Sequence, residues 1–324
     1  MPTGAKRKKS PLRRSPATAV HGRVGSVLGP AEPGWTVCPA GVASILSADL
    51  LAEIPWLVHG FSTRPGGQSH LGKERVFNLG FTDWDKRETV AANRRAFQQA
   101  LDAASMSMVA LRQIHSDVAH VVSVSPANPL QGDAVMTREP GLLLSVQTAD
   151  CVPILLADTV RRAVAAIHAG WRGTLARIAT KTLGRMQLEW GTRPRDVVAA
   201  IGPAIGGCSY DVGPEVAQAF ASQFANAAEW FEGPFERLIL DDAPNPLQWL
   251  NMMPPGHQPP LERVQLDLRA ANRWQLIDAG VAPGKIATSG LCTACRTDLL
   301  FSYRREGAET GRLMAAIGIR PKSH

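Results

Sequence analysis

The sequence predicts a single α/β domain, and three observations carry that prediction. Short aliphatic runs of strand length recur through the middle of the chain. Segments with apolar residues at helical spacing lie before, between and after them. Hydrophobic residues make up 45% of the 324 positions and charged residues 19%, which is enough apolar material for a large core.

Order is expected to begin near Trp35, behind a disordered tail at 1–34 that is rich in Pro, Gly, Ser, Lys and Arg. The HGFSTRPGGQS stretch at 59–69 reads as a Gly/Pro/Ser turn. Over residues 85–103, Val90, Arg94, Phe97 and Leu101 recur at helical spacing, and Asp85 with Glu88 has capping-box spacing. VAHVV (118–122), LLLSV (142–146), VPILLA (152–157) and AVAAIH (163–168) follow as buried strands. A helix over 173–190 places Leu175, Ile178, Met186 and Trp190 on one side; VVAAIG (197–202) is a strand and 213–224 a short helix. Residues 233–262 hold seven prolines, so no regular element runs through them. They read as a surface insertion, with a lid over the site as the alternative. A helix near 269–279 is closed by Gly280, with Pro283 beyond it. FSYRREGAETGR (301–312) is either a hairpin with solvent-facing arginines or one wall of an anion pocket. GRLMAAIGI (311–319) closes the domain, taken as 35–324, with a core strand.

The net charge of +7 is unevenly placed. The first thirty residues hold seven basic groups and no acid, and the first acid is Glu32. The 28 remaining Lys and Arg balance all 28 Asp and Glu, so the body of the chain is neutral. The basic balance is therefore a poor argument for nucleic acid binding, and the tail reads as a solvated arm. Its composition has some likeness to a transit peptide, but Pro11 and Pro16 break the helix such a peptide needs. No apolar run approaches the roughly 18 residues of a membrane span, and no apolar stretch of signal-peptide type follows the basic start. Five cysteines, few and odd in number, argue against a disulfide framework and for a reducing compartment. These features lead to the expectation of a cytoplasmic protein without membrane partners.

Three metal-ligand types fall beside predicted strand ends: His115 in LRQIHSD, Cys151 in QTADCVPILL and His168 in AAIHAGWRG. Two imidazoles and one thiolate suit Zn²⁺ with a position left for water or substrate, although their spacing is no local zinc motif. Buried core residues are the competing reading. Arg172, at a helix entry after small residues, and Arg64, in its Gly/Pro/Ser turn, are candidates for holding an anion. Asp150 adjoins Cys151; it is a candidate base, or a group orienting a ligand histidine, provided it points that way along the chain. Cys292 and Cys295 form a lone CxxC that reads as packing. Cys38 and Cys208 read as non-catalytic.

Together the motifs resemble the YfiH/PgeF-like family, labelled polyphenol oxidase or laccase-domain proteins and associated with purine nucleoside phosphorylase activity. The strings that carry the resemblance are HGFSTRPGG, FNLG, RQIH, GDAVMT, TADCVPILLAD, HAGWRG, IGPAIGGCSYDVG and CTACRTDLLFSYRREGAETGR, in that order over about 57–319. Cys208-Ser209-Tyr210 departs from the Cys-Cys-Tyr of many relatives. The resemblance implies one layered α/β/β/α domain. It also implies a zinc site on His115, Cys151 and His168, with copper as the other candidate. Its implied activity is phosphorolysis of adenosine, inosine and methylthioadenosine, with adenosine deamination beside it. Small-molecule nucleosides and phosphate are then the partners, and nucleic acid contact through the tail is not expected. Two other readings stay open. One is a cysteine hydrolase or peptidoglycan-editing factor using Cys151 and His168. The other is a copper polyphenol oxidase, which eight histidines with no HxH pair make hard to build as a multicopper centre.

Overall fold

The computed structural model describes residues 32–41, 43–236 and 263–321. Expectations for the tail and for most of the Pro-rich 233–262 segment therefore lie outside the described residues.

In chain order the strands are β1 (Trp35–Ala40), β2 (Ala43–Ala48), β3 (Leu57–Leu71), β4 (Glu74–Val76), β5 (Ser107–Arg112), β6 (Ala119–Val121), β7 (Leu130–Gln131), β8 (Ala134–Thr137) and β9 (Leu142–Thr148). They continue as β10 (Val152–Asp158), β11 (Ala163–Ala169), β12 (Val197–Ile201), β13 (Asp211–Val212), β14 (Phe231–Glu232), β15 (Val264–Leu266), β16 (Ile286–Thr288) and β17 (Leu313–Ile319). The helices are α1 (Asp49–Ala52), α2 (Arg87–Ala100), α3 (Trp171–Leu175), α4 (Ile178–Trp190), α5 (Pro214–Gln223), α6 (Leu268–Asp278) and α7 (Tyr303–Glu306). None is long and apolar enough to cross a membrane.

Two mixed sheets form the centre. One runs β1-β2-β3-β17-β9-β5-β7, with β4 on β3; the other runs β16-β12-β10-β11-β8-β6. A small third sheet, β13-β15-β14, lies apart from them. Strand alternation decides the layering. From the second sheet, Leu155, Ala157, Val164 and Ala166 meet Phe61, Leu144, Val146 and Ile317 of the first in a shared core. Their neighbours Ile154, Leu156, Ala165 and Ile167 point the other way, onto Ile178, Leu183 and Met186 of α4, Leu276 of α6 and Phe220 of α5. On the far side of the first sheet, Val58, Leu143 and Met314 pack on Phe97 of α2. The order helix, sheet, sheet, helix is the α/β/β/α layering implied by the resemblance. Strands buried on both faces explain the unbroken apolar runs of β10 and β11.

Five local expectations need correction. VAHVV at 118–122 is not a buried strand: only Ala119–Val121 pairs, as the edge strand β6, and Val118 and Val121 are exposed. The 59–69 stretch is not a free turn: it lies inside the 15-residue β3, where a register shift between Pro65 and Ser69 absorbs the breakers. Asp85 does not begin a helix. Its carboxylate accepts from Ser69 Oγ (2.6 Å) and Asn78 Nδ2 (2.8 Å), and α2 starts after Lys86. The helix expected over 173–190 is two helices, separated where Arg177 adopts φ 60°. Residues 301–312 form no hairpin but the short α7 and a 3₁₀ turn at Gly307–Glu309.

Candidate metal centre and its pocket

The seam between the two sheets assembles His115, Cys151 and His168. His115 follows the end of β5, Cys151 sits at the crossing from β9 to β10, and His168 is the penultimate residue of β11. Pro153 pairs with His168 across the β10–β11 ladder, which fixes Cys151 two residues before that register position. One donor atom from each of the three lies within 4.8 Å of the others. The two imidazole rings meet edge to face, 5.0 Å between centroids. His168 is buried, Cys151 half-buried and His115 exposed. The group thus has a closed back and an open front, as a site that admits substrate requires.

Asp133, just before β8, is the residue that organises this group. Its Oδ1 sits 2.8 Å from His168 Nδ1 and accepts from the His115 backbone N–H at 3.0 Å. Its Oδ2 accepts from Ser116 N (2.6 Å), Ser116 Oγ (2.7 Å) and Ile114 N (3.3 Å). Its backbone carbonyl accepts from His168 N at 2.7 Å. One buried carboxylate therefore binds the turn bearing one ligand and the ring of another, and leaves His168 Nε2 for the ligand set. Among those bonds, His115 is held at φ 58°, an uncommon conformation for a side-chain-bearing residue.

The electrostatics follow from the same contacts. Burial works against the Asp133 charge, but hydrogen bonds from His168 and Ser116 outweigh it and hold the carboxyl at about 2. Burial also opposes ionisation of Cys151. The charge on His168 and hydrogen bonds from both imidazoles overcome that and draw the thiol down to about 6. His168 is pushed up to about 9 against its burial, by the Cys151 thiolate first and then Asp133. Cys151 and His168 are thus set up as a thiolate–imidazolium pair, and a metal bound there would displace the His168 proton. Two imidazoles, a thiolate and an orienting carboxylate fit a resident Zn²⁺, and they fit a single copper ion as well. A multicopper cluster needs more imidazoles than this group holds.

The front of the site opens into a cavity of about 710 Å³. Asp150, Arg172, Tyr210, Tyr303, Arg304 and Arg312 line it beside the ligand group. Each arginine lies over an aromatic ring: Arg172 over Trp171 (4.4 Å), Arg304 over Tyr210 (4.8 Å) and Arg312 over Tyr303 (5.7 Å). None of the three forms a salt bridge among the described residues, so their charge is left to the cavity. Burial first, and then the Cys151 thiolate, push the Tyr210 phenol up to about 12, so it stays a neutral hydrogen-bond donor. Gly170 lies directly beneath the ligands. A Cβ there would come within 3.0 Å of Cys151 Sγ and 3.2 Å of His115 Cδ2.

Of the residues singled out in the sequence, His115, Cys151, His168, Asp150 and Arg172 converge here, and Arg64 does not. Arg64 is buried in β3, where its guanidinium pairs with Glu306 and with Glu74 (3.2 Å) and lies 5.3 Å from the Phe301 ring centroid. It braces α7 from behind and is absent from the cavity wall. Asp150 faces the cavity at φ 91° but does not orient a ligand histidine. Its carboxylate accepts from Thr293 Oγ1 (2.5 Å) and from the backbone N–H of Arg304 (2.6 Å). The orienting carboxylate is Asp133, which sequence reasoning missed although GDAVMT contains it. Arg304 and Arg312, left open in the sequence, belong to the wall.

The description "multi-copper polyphenol oxidoreductase laccase" fits residues 58–320 of the chain. A purine nucleoside phosphorylase from Deinococcus radiodurans is 37% identical over 261 residues, covering 81% of this chain and 88% of the relative. One from Bacteroides thetaiotaomicron is 34% identical over 284 residues, covering 85% and 96%. The crystal structure of a hypothetical protein YfiH from Bacillus licheniformis superposes with a TM-score of 0.72 at 29% identity, over 87% of this chain and 98% of that one. On that match the chain belongs to the laccase-like YfiH family, the one described as multi-copper polyphenol oxidoreductase laccase.

Proposed function

We propose that this chain is a zinc-dependent purine nucleoside phosphorylase. The observation that carries the reading is the pairing of a His/Cys/His ligand group with three arginines around one cavity. Relatives named purine nucleoside phosphorylase support it. In phosphorolysis, phosphate attacks the anomeric carbon of the nucleoside, the glycosidic bond breaks, and the products are the free purine and ribose 1-phosphate. Arg172, Arg304 and Arg312 hold the phosphate dianion against the ribose, an arrangement that brings reactants together and stabilises negative charge. Tyr210 donates a hydrogen bond to the departing base, and the ring faces of Tyr210 and Tyr303 cover the purine. His115, Cys151 and His168 would hold the metal, which supplies a Lewis acid for a substrate oxygen. Asp150 fixes the backbone of Arg304 and so places that guanidinium. Adenosine, inosine and methylthioadenosine are the substrates to compare, with adenosine deamination measured alongside as the reaction that needs no phosphate. Cys151→Ala and His168→Ala proteins should lose both the bound zinc and phosphate-dependent release of base. Full activity in a zinc-free variant would sink the proposal.

A thiol hydrolase is the second reading, because Cys151, His168 and Asp133 also match a nucleophile, its base and an orienting acid. In it His115 only helps to hold Cys151 as a thiolate. Activity abolished by chelators and restored by zinc favours the metal; a trapped acyl-thioester on Cys151 favours the hydrolase.

A further inference from the structure

A second convergence of ligand atoms lies outside the catalytic group. Cys292 and Cys295, expected to be simple packing, are joined in space by Cys208 from the far side of a Gly-rich turn. The three sulfurs lie within 4.8 Å of one another, and Cys208 Sγ is 3.6 Å from Cys295 Sγ. Ser209 Oγ stands 3.5 Å and 3.4 Å from the same two sulfurs. Gly206 N–H donates to Cys292 Sγ at 3.2 Å. The backbones that carry the cysteines are tied together by a bridge between Ala204 and Cys292 and by Thr293 N–H donating to Ala204 O at 3.1 Å. A Cβ on Gly206 would lie 3.2 Å from Cys208 Sγ and 3.4 Å from Cys292 Cβ, so glycine is what lets the turn close over the sulfurs.

We propose that Cys208, Cys292 and Cys295 form a second metal site, which takes a thiophilic d¹⁰ ion, zinc, with Ser209 Oγ or solvent as the fourth ligand. Three sulfurs and one oxygen suit such an ion far better than a hard one. Two thiolates sharing a tetrahedral zinc at about 2.3 Å per bond lie about 3.8 Å apart, close to the separation seen. A disulfide would instead require one pair to close to about 2.0 Å and would leave the third sulfur out. Three thiolates around a divalent ion carry one excess negative charge. Arg269 lies beside Gly206, anchored to Ser289 O (2.9 Å), which places there a cation that is shared with Asp267 at 3.7 Å. The site shares no ligand with the catalytic group but braces its wall. Thr293, between two of the ligands, donates to Asp150, and Tyr210 follows Cys208 by two residues. None of this depends on which reaction the cavity performs.

The test is Co²⁺ binding by reduced Cys151→Ser protein, which removes the thiolate of the catalytic group. The proposal expects one equivalent bound with a strong thiolate-to-cobalt charge-transfer band. Adding Cys208→Ser or Cys295→Ser, both exposed positions, should lower that band by about one third each, in step with thiolate number. Zinc should raise the thermal midpoint of the Cys151→Ser protein and fail to do so when Cys208→Ser and Cys295→Ser are added. No thiolate band in the Cys151→Ser protein, with the three cysteines shown by mass to be reduced, would overturn the proposal. So would recovery of Cys208 and Cys295 as a disulfide from protein kept under reductant.

Discussion

Asp133 shows what one side chain does in this site and why the sequence hid it. Its two oxygens collect three backbone N–H groups, the Ser116 hydroxyl and a ligand imidazole. The three candidate ligands stood out because His, Cys and His are rare types with known chemistry, and the structure brings them together. An Asp before a buried strand has many ordinary uses, and nothing in its spacing connects position 133 with 115 or 168. Arg64 is the converse: a Gly/Pro/Ser context suggested an anion, yet the charge is spent on Glu306 and Glu74. Asp133→Asn keeps the shape but puts an amide NH₂ among donors and removes the charge behind His168. We expect metal affinity and kcat/KM to fall about 10–100-fold, the usual effect of losing a group that orients a ligand. The protein should also unfold at lower denaturant, because buried N–H groups lose their acceptor. Titration with a fluorescent zinc competitor, beside steady-state kinetics, reads both. Unchanged zinc affinity would assign Asp133 to folding alone.

Among the elements, those written in hydrophobic pattern were readable and those made by tertiary override were not. β10, β11 and β17 announce themselves as unbroken apolar runs, since both their faces are covered. The break between α3 and α4 has no such sign. Arg177 takes a left-handed conformation that nothing in its neighbours requires, and stacks its guanidinium 4.3 Å from the Phe224 ring centroid. β3 carries Pro65, Gly66 and Gly67, which sequence rules read as breakers, but a bulge passes the chain through them. That strand also holds His59, whose Nε2 accepts from Ala48 N–H at 3.1 Å. Burial is the main cause that lowers His59 from 6.5 to about 4. The unfolded chain therefore binds a proton that the native strand refuses between those two values. His59 contributes its full stability above pH 6.5 and loses it progressively as pH falls toward 4, at up to about 1.4 kcal/mol per pH unit. His59→Gln, which offers an oxygen to Ala48 N–H but does not titrate, should flatten that part of the profile. Urea unfolding at several pH values across the window checks this; parallel slopes for the two proteins would rule out His59 as the source.

At the scale of the whole molecule, the site exists because the chain changes sheets. β5 and β9 belong to one sheet and β8, β10 and β11 to the other, so His115, Cys151 and His168 meet where the layers join. Strand lengths suggested an α/β domain, but pairing across the chain is a long-range fact that spacing does not encode. The resemblance supplied the layering that the residues alone left open. All of the +7 resides in the acid-free first thirty residues, and the described contacts begin before Trp35, at Glu32. The Glu32 carboxylate accepts from Ser289 Oγ (3.0 Å) and Gly290 N–H (3.1 Å), and its carbonyl accepts from Trp35 N–H (3.0 Å). Glu32 thus holds the loop that leads into Cys292. Removing 1–31 should abolish retention on a cation exchanger at low salt and leave the thermal midpoint and kcat/KM as they were. Removing 1–34 also takes away the Glu32 contacts and the Gly34 carbonyl that accepts from Asp49 N–H. Charge-assisted hydrogen bonds of this kind are worth about 1.5–3 kcal/mol, so the midpoint should drop by several degrees. If both truncations melt together, the fold begins at Trp35; if the shorter truncation already loses activity, the tail belongs to the working enzyme.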